Sequence, residues 1–455
     1  MPAIGTQAVR KIFADLLVKK VNEGNENEQF FIGVGKTDQY NDSDIPSSPI
    51  ANLREEMIAR SNLTAIKKVT DCSFVVRRYS WSSGAIYSAW SDQFTSMPLT
   101  NPCYVYTEIN DVYICLQQGR NANGQVNTST IQPDYVTAGV SETKSFKTSD
   151  GYVWKFLFSI SSGDSFKYTS ASYIPIKYIE DSDQVLSTFD AQQFSVQNNA
   201  ISGQILGVSI TNPGSGYTAT PTVTISGNGA NAQATATIVG GQIAKIEMNN
   251  ESAALGSGYD FASIAIVGGN GVGASAVPVI GPPAGIGANA LDDLQAKSVM
   301  FTIKPNGDEG GAWLTDNDFR QITLFRNLLE YDSVGIVNAT SASALKYMRM
   351  VQSAEADGFL PDIIIEGRST GARAFVDKVE NDKIYYHQND ITGFAAFADA
   401  EFVDEVDGDA EGQILNHLLY STVEPFSGDC LYIENRANVV RSNTQQEDIK
   451  VIITL

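Results

Sequence analysis

One twelve-residue stretch, "SDGYVWKFLFSI" (149–160), limits the possible folds more than any other part of this chain. Strict alternation puts Tyr152, Trp154, Phe156, Phe158 and Ile160 on one face of a strand, and Val153, Lys155, Leu157 and Ser159 on the other. Burying the aromatic face contributes on the order of 10 kcal/mol gross, at about 2 kcal/mol per large side chain. Only a second packed layer covers so much apolar surface, and a β-sandwich is the expected solution.

The surrounding sequence reads the same way. From residue 69 to about 200, short strand-like runs are separated by Gly, Asn, Ser and Pro. In "YVYTEINDVYICLQ" the runs Tyr104 to Thr107 and Val112 to Leu116 flank Asn110-Asp111, a hairpin-type turn pair. Helices are expected near the start. In "VRKIFADLLVKKV", Val9, Ile12, Phe13, Leu16 and Leu17 recur at helical spacing, which describes an amphipathic helix and not a secretory signal. A second helix is expected from Ser48-Pro49, with Ile50, Leu53, Met57 and Ile58 as its apolar face.

Between 201 and 285 charge almost vanishes and a repeat emerges. Gly216-Tyr217 recurs as Gly258-Tyr259, and Asn228-Gly229 as Asn270-Gly271, both 42 residues later. Two copies of a turn, a strand, a glycine turn and an Ala/Val strand make a small all-β module. From 351 to 411 a second irregular segment carries a hairpin around Glu380 to Lys383. The closing "EDIKVIITL" reads as a strand tied into a sheet.

At 455 residues the chain exceeds one core, so several domains are expected. Its net charge of −21 repels phosphate backbones and argues against nucleic acid or an anionic membrane as the main partner, and with no apolar run near the roughly 20 residues that span a bilayer, no membrane insertion is expected. Cys72, Cys103, Cys115 and Cys430 show no paired spacing and read as free thiols of a reducing cytoplasm.

Candidate chemistry is sparse. "FFIGVGKT" ends in Gly35-Lys36-Thr37, but a phosphate-binding loop needs glycine where Phe30 stands. The chain has two histidines, His387 and His417, which read as packed or surface residues. The acidic run holding Asp404, Asp407 and Asp409 lacks the spacing of a calcium loop and reads as solvated. No catalytic, cofactor-binding or metal-ligating residue is nominated. Large aromatics are the expected anchors of any protein interface: Trp81, Tyr87, Trp90 and Trp313, with Tyr217 and Tyr259 as exposed tips of the repeat.

Several phrases occur together in a fixed order: "QFFIGVGKTDQYND", "VVRRYSW", "GYVWKFLF", "DFRQITLFRN" and "GDCLYIENR". This ensemble resembles the baseplate wedge subunit numbered eight of T-even-type contractile-tailed bacteriophages. The resemblance implies a two-domain, mostly β body that forms a homodimer, contacts other wedge subunits and has no enzymatic role. It also implies that the first domain is discontinuous. The chain departs from the family in its 42-residue repeat, its 351–411 segment and Leu328, where a proline would follow "FRN".

The expectation is therefore a mainly β chain with a few helices (α+β), a multidomain β-sandwich body with two inserted small β modules. Residues 1–85, 311–350 and 412–455 would form the first domain, and 86–200 with 286–310 the second. The insertions would be 201–285 and 351–411. The expected place is the tail baseplate of a virion, reached from the host cytoplasm. The competing expectation is a tail adhesin whose repeat module binds host glycan.

Overall fold

The computed structural model describes residues 6–248, 254–315, 317–389 and 391–455. The chain is mainly β with a few helices. It forms two compact units. One comprises Met1–Ala14, Ser73–Val299 and Thr454–Leu455; the other comprises Asp15–Cys72 and Met300–Ile453.

In the first unit the aromatic strand is Val153–Ser159, and both of its faces are buried. It lies in a four-stranded antiparallel sheet, between Asp111–Gln117 and Ser145–Lys147, with Tyr104–Tyr106 outermost. The expected hairpin forms with Tyr104 opposite Ile114, and Asn110 takes the left-handed conformation at its turn. Tyr152 and Trp154 stack with ring centroids 5.7 Å apart, and Tyr87 meets Trp154 edge-on at 5.5 Å. Tyr135 and Val140 pack against the same cluster from flanking loops. Val196 of the helix Thr188–Asn198 joins the same cluster and also lies beside Gly287, as do Lys155 and Leu157.

The repeat explains its own period once strand pairing is seen. Thr222–Gly227 of the first copy pairs antiparallel with Ala262–Val267, its counterpart in the second. Ala230–Ala232 pairs with Leu255–Ser257, and Ile205–Ser215 with Val272–Ile280. Each copy is thus completed by the other across an approximate twofold axis. Among the described residues each of these strands pairs with one from the other copy, which accounts for two copies appearing together.

In the second unit, Phe30–Gly35 is the middle strand of a five-stranded antiparallel sheet. Its neighbours are Leu63–Lys68 and Asp318–Arg326, flanked by Ser341–Ser343 and Asp429–Val440. Phe31, Ile66, Phe325 and Leu328 share its core. The two glycines that suggested a phosphate loop are required by this packing. A Cβ at Gly35 would stand 2.1 Å from the Asn62 carbonyl oxygen, and one at Gly33 would stand 2.7 Å from the Thr323 hydroxyl.

The same unit holds a closed six-stranded barrel running from Lys346–Met350 to Glu411–Tyr420. The 351–411 segment supplies four of its strands, among them the hairpin Arg373–Glu380 and Lys383–His387, with Glu380 opposite Lys383. Met348, Phe359, Ile384, Tyr386 and Ile414 fill its interior. The C-terminal strand Ile449–Thr454 is hydrogen-bonded beside Ser298–Ile303, as the apolar terminus suggested.

The helices depart from expectation. The first, α1 (Gln7–Asn22), forms, but its apolar face is not its buried face. Ala14 and Val21 are buried, whereas Phe13 is 61% exposed. The second, α2 (Leu53–Ser61), starts later than Ser48-Pro49. Asn52 caps it, its side chain accepting from the Glu55 N–H, and proline has no part in the start. Its buried side chains are Ala59 and Arg60, while Leu53 is 71% exposed. Arg60 is held by three carbonyls, of Pro425, Ser427 and Gly428, and by Glu56.

Candidate functional site

The six nominated aromatics serve their own cores more than any outer surface. Tyr87 is buried among Tyr152 and Trp154. Trp313 is buried, its indole N–H donating to the Ile66 carbonyl, with the Arg441 guanidinium 5.1 Å from its ring. Trp81 and Trp90 are half-buried and donate to Ser129 Oγ and to the Asp293 carbonyl. Tyr217 and Tyr259, expected as exposed tips, are buried at 5% and 3% exposure. Their rings are covered by glycines of the opposite repeat copy, a contact that local sequence reading cannot see.

The loop after Gly35 carries no anion site. Lys36 pairs with Asp38 at 3.0 Å and its ammonium stands 4.9 Å from the Tyr40 ring centre, so its charge is already matched. Arg368 bridges Asp404 and Glu411, which ties down part of the acidic run. Among the described residues, no group of three or more His, Cys, Asp or Glu side chains is placed to hold a metal ion. No helix there is long and apolar enough to cross a membrane.

His387 is the most chemically suggestive residue. Its Nδ1 lies 2.8 Å from Asp377 Oδ1, and its Nε2 lies 3.1 Å from the Thr37 hydroxyl. That is the connectivity of a carboxylate–imidazole–hydroxyl triad. Two features set it apart from a catalytic triad. Asp38 Oδ1 also stands 3.7 Å from Nε2, so the ring has a carboxylate on each side. Burial opposes its charge, but Asp377 and Asp38 outweigh burial and hold its pKa above the ordinary value. A raised pKa favours the imidazolium, the form that has no lone pair with which to take a hydroxyl proton. The ring is also 7% exposed and stacked on Phe375. This cluster is a polar lock between the Thr37 loop and the barrel.

One open feature of the second unit is an apolar groove of about 700 Å³, within the range of roughly 300–1,000 Å³ usual for binding sites. Leu53, Met57 and Ile58 of α2 line it, with Phe394, Phe397 and Phe426. The helical spacing in the sequence correctly grouped the α2 residues, but the face they form borders this groove and not a core. Lys346, from the first barrel strand, also lines it. Burial pushes the Lys346 pKa down, and among the described residues no carboxylate lies within ion-pair distance of its Nζ. Arg54, another lining residue, is likewise without an ion pair there. His417 completes the charged rim and is paired with Asp399 at 2.7 Å. The sequence offered one faint signal for this site: Lys346 is a cation at the head of an otherwise barrel-forming strand. No family model matches the chain, and no curated protein is significantly similar to it.

Proposed function

We propose that this chain is a structural subunit of a contractile-tail baseplate wedge, a dimeric scaffold that binds neighbouring wedge proteins. It carries out no reaction and needs no cofactor. It resides in the virion after passing through the host cytoplasm. One observation carries this reading: both N-terminal helices present apolar faces to solvent. Val9, Ile12, Phe13 and Leu16 are exposed on α1, and Leu53 and Met57 on α2. Contiguous apolar surface of this kind marks a site of protein contact. The ordered phrases from "QFFIGVGKTDQYND" to "GDCLYIENR" add support. The net charge of −21 keeps free subunits apart until specific contacts form. The rival adhesin reading places glycan recognition in the repeat module, where Tyr217 and Tyr259 are packed against glycines and buried.

Sedimentation equilibrium at moderate salt, together with placement in a density map of the particle, tests the reading. A dimer lying near the tail tip is expected. A stable monomer or trimer, or a position away from the baseplate, overturns it.

A further inference from the structure

The geometry points to the groove between α2 and the Phe394 loop as the docking site for an apolar segment of a partner polypeptide that carries a carboxylate, with Lys346 as the receiving cation. The proposal deepens the scaffold reading, resting on it only in taking the occupant to be a polypeptide.

The groove combines two features. Its walls are Leu53, Met57, Phe394 and Phe426, all exposed large side chains, converging on a concave volume of about 700 Å³. A desolvated cation lines it. Half-buried Lys346 has no anion among the described residues within ion-pair distance of its Nζ to offset its desolvation, and Arg54, an exposed lining residue, is also without an ion pair there. On a chain with 52 acidic and 31 basic residues, two unpaired cations on one apolar groove run against the prevailing charge. His417, which also lines the groove, is itself engaged by the Asp399 carboxylate.

The complementary occupant therefore has large apolar side chains to fill the walls and an Asp or Glu to meet Lys346. A charge-assisted contact formed in this dry setting would fix the register of the segment, while the apolar anchors supply most of the affinity. A cationic segment would leave Lys346 unpaired and add repulsion, so sign selectivity follows from the site itself.

The test uses the full-length protein and a random twelve-residue displayed peptide library, followed by the synthetic consensus peptide. The expected consensus has two or more large apolar residues beside an Asp or Glu. Binding of that peptide is expected to weaken at least tenfold with Lys346→Met, with Met57→Glu, or with the peptide's acid changed to its amide. Lys346→Met keeps the length of the side chain and removes a half-buried unpaired charge, so folding is expected to be retained; Met57 is half exposed, so its variant is an independent check. Absence of a consensus, or equal binding to both variants, overturns the proposal. Competition by dodecanoate as strong as by the peptide would assign the groove to a small amphiphile instead. Loss of the chain's own dimer in Met57→Glu would assign it to a second copy. Either result overturns the partner assignment. A monomer that binds the consensus peptide would refute the dimeric scaffold and keep the groove; a dimer without a consensus would do the reverse.

Discussion

Tyr217 of the first repeat copy lies over Gly271 of the second, so closely that a Cβ at Gly271 would stand 2.4 to 2.6 Å from three ring carbons. Tyr259 and Gly229 repeat the contact in the opposite sense, with a Cβ at Gly229 reaching 2.5 Å from the ring. The Gly-Tyr and Asn-Gly pairs that recur 42 residues apart are therefore the two halves of one reciprocal packing arrangement. Gly271→Ala is expected to destabilise the repeat module by roughly 1–3 kcal/mol, because neither ring nor backbone can yield that distance cheaply. Gly229→Ala should cost a similar amount. Denaturant melts combined with limited proteolysis within 201–285 measure both, and a neutral effect would contradict the arrangement.

The raised pKa of His387 makes the second unit sensitive to pH. Its pKa is raised: burial opposes the charge, and Asp377 and Asp38 override it, with Lys36 acting in the same sense as burial. A raised pKa stabilises the fold fully below the unfolded value of about 6.5, and that stability disappears as pH climbs through the folded pKa. The melting temperature should thus fall with rising pH above about 6.5 more steeply in the native chain than in His387→Asn. Parallel pH profiles for the two proteins would remove His387 as the cause. At pH 6 the variant itself should lose about 3–5 kcal/mol, the cost of breaking a buried pair.

Trp313 separates core from interface. Its indole donates to Ile66 and stacks with Arg441, which is itself buried and paired with Glu447 at 2.9 Å. Trp313→Ala is expected to cost about 3–5 kcal/mol of stability. Sedimentation of the fraction that remains folded should be unchanged. An unaltered melt accompanied by lost association would return this residue to the interface.

The cysteines should be inert in the folded protein. Burial pushes the thiols of Cys72 and Cys103 up to about 12, and that of Cys430 to about 11, and it raises Cys115 as well. At pH 8 the thiolate fraction of Cys72 is on the order of 10⁻⁴. Labelling with a thiol reagent should be slow in the native state, with Cys430 the fastest, and complete at all four sites after denaturation. Rapid native labelling of Cys72 or Cys103 would show that its surroundings open.

Amino-acid order alone determined the alternating strand through Trp154, the turn at Asn110-Asp111, the hairpin at Glu380 to Lys383 and the period of the repeat. Each of these is set by neighbours within a few residues, through side-chain alternation, turn conformation or duplication. Tertiary structure alone decided what each face meets. Helical spacing grouped Leu53, Met57 and Ile58 correctly, yet only the folded chain brings Phe394 and Phe426 opposite them and leaves a groove. Thr37 meets His387 across 350 residues of chain, and Tyr217 is buried by a glycine 54 positions away. Periodicity reports which side chains share a face, because that is local geometry. What covers the face depends on distant segments whose pairing no local pattern records.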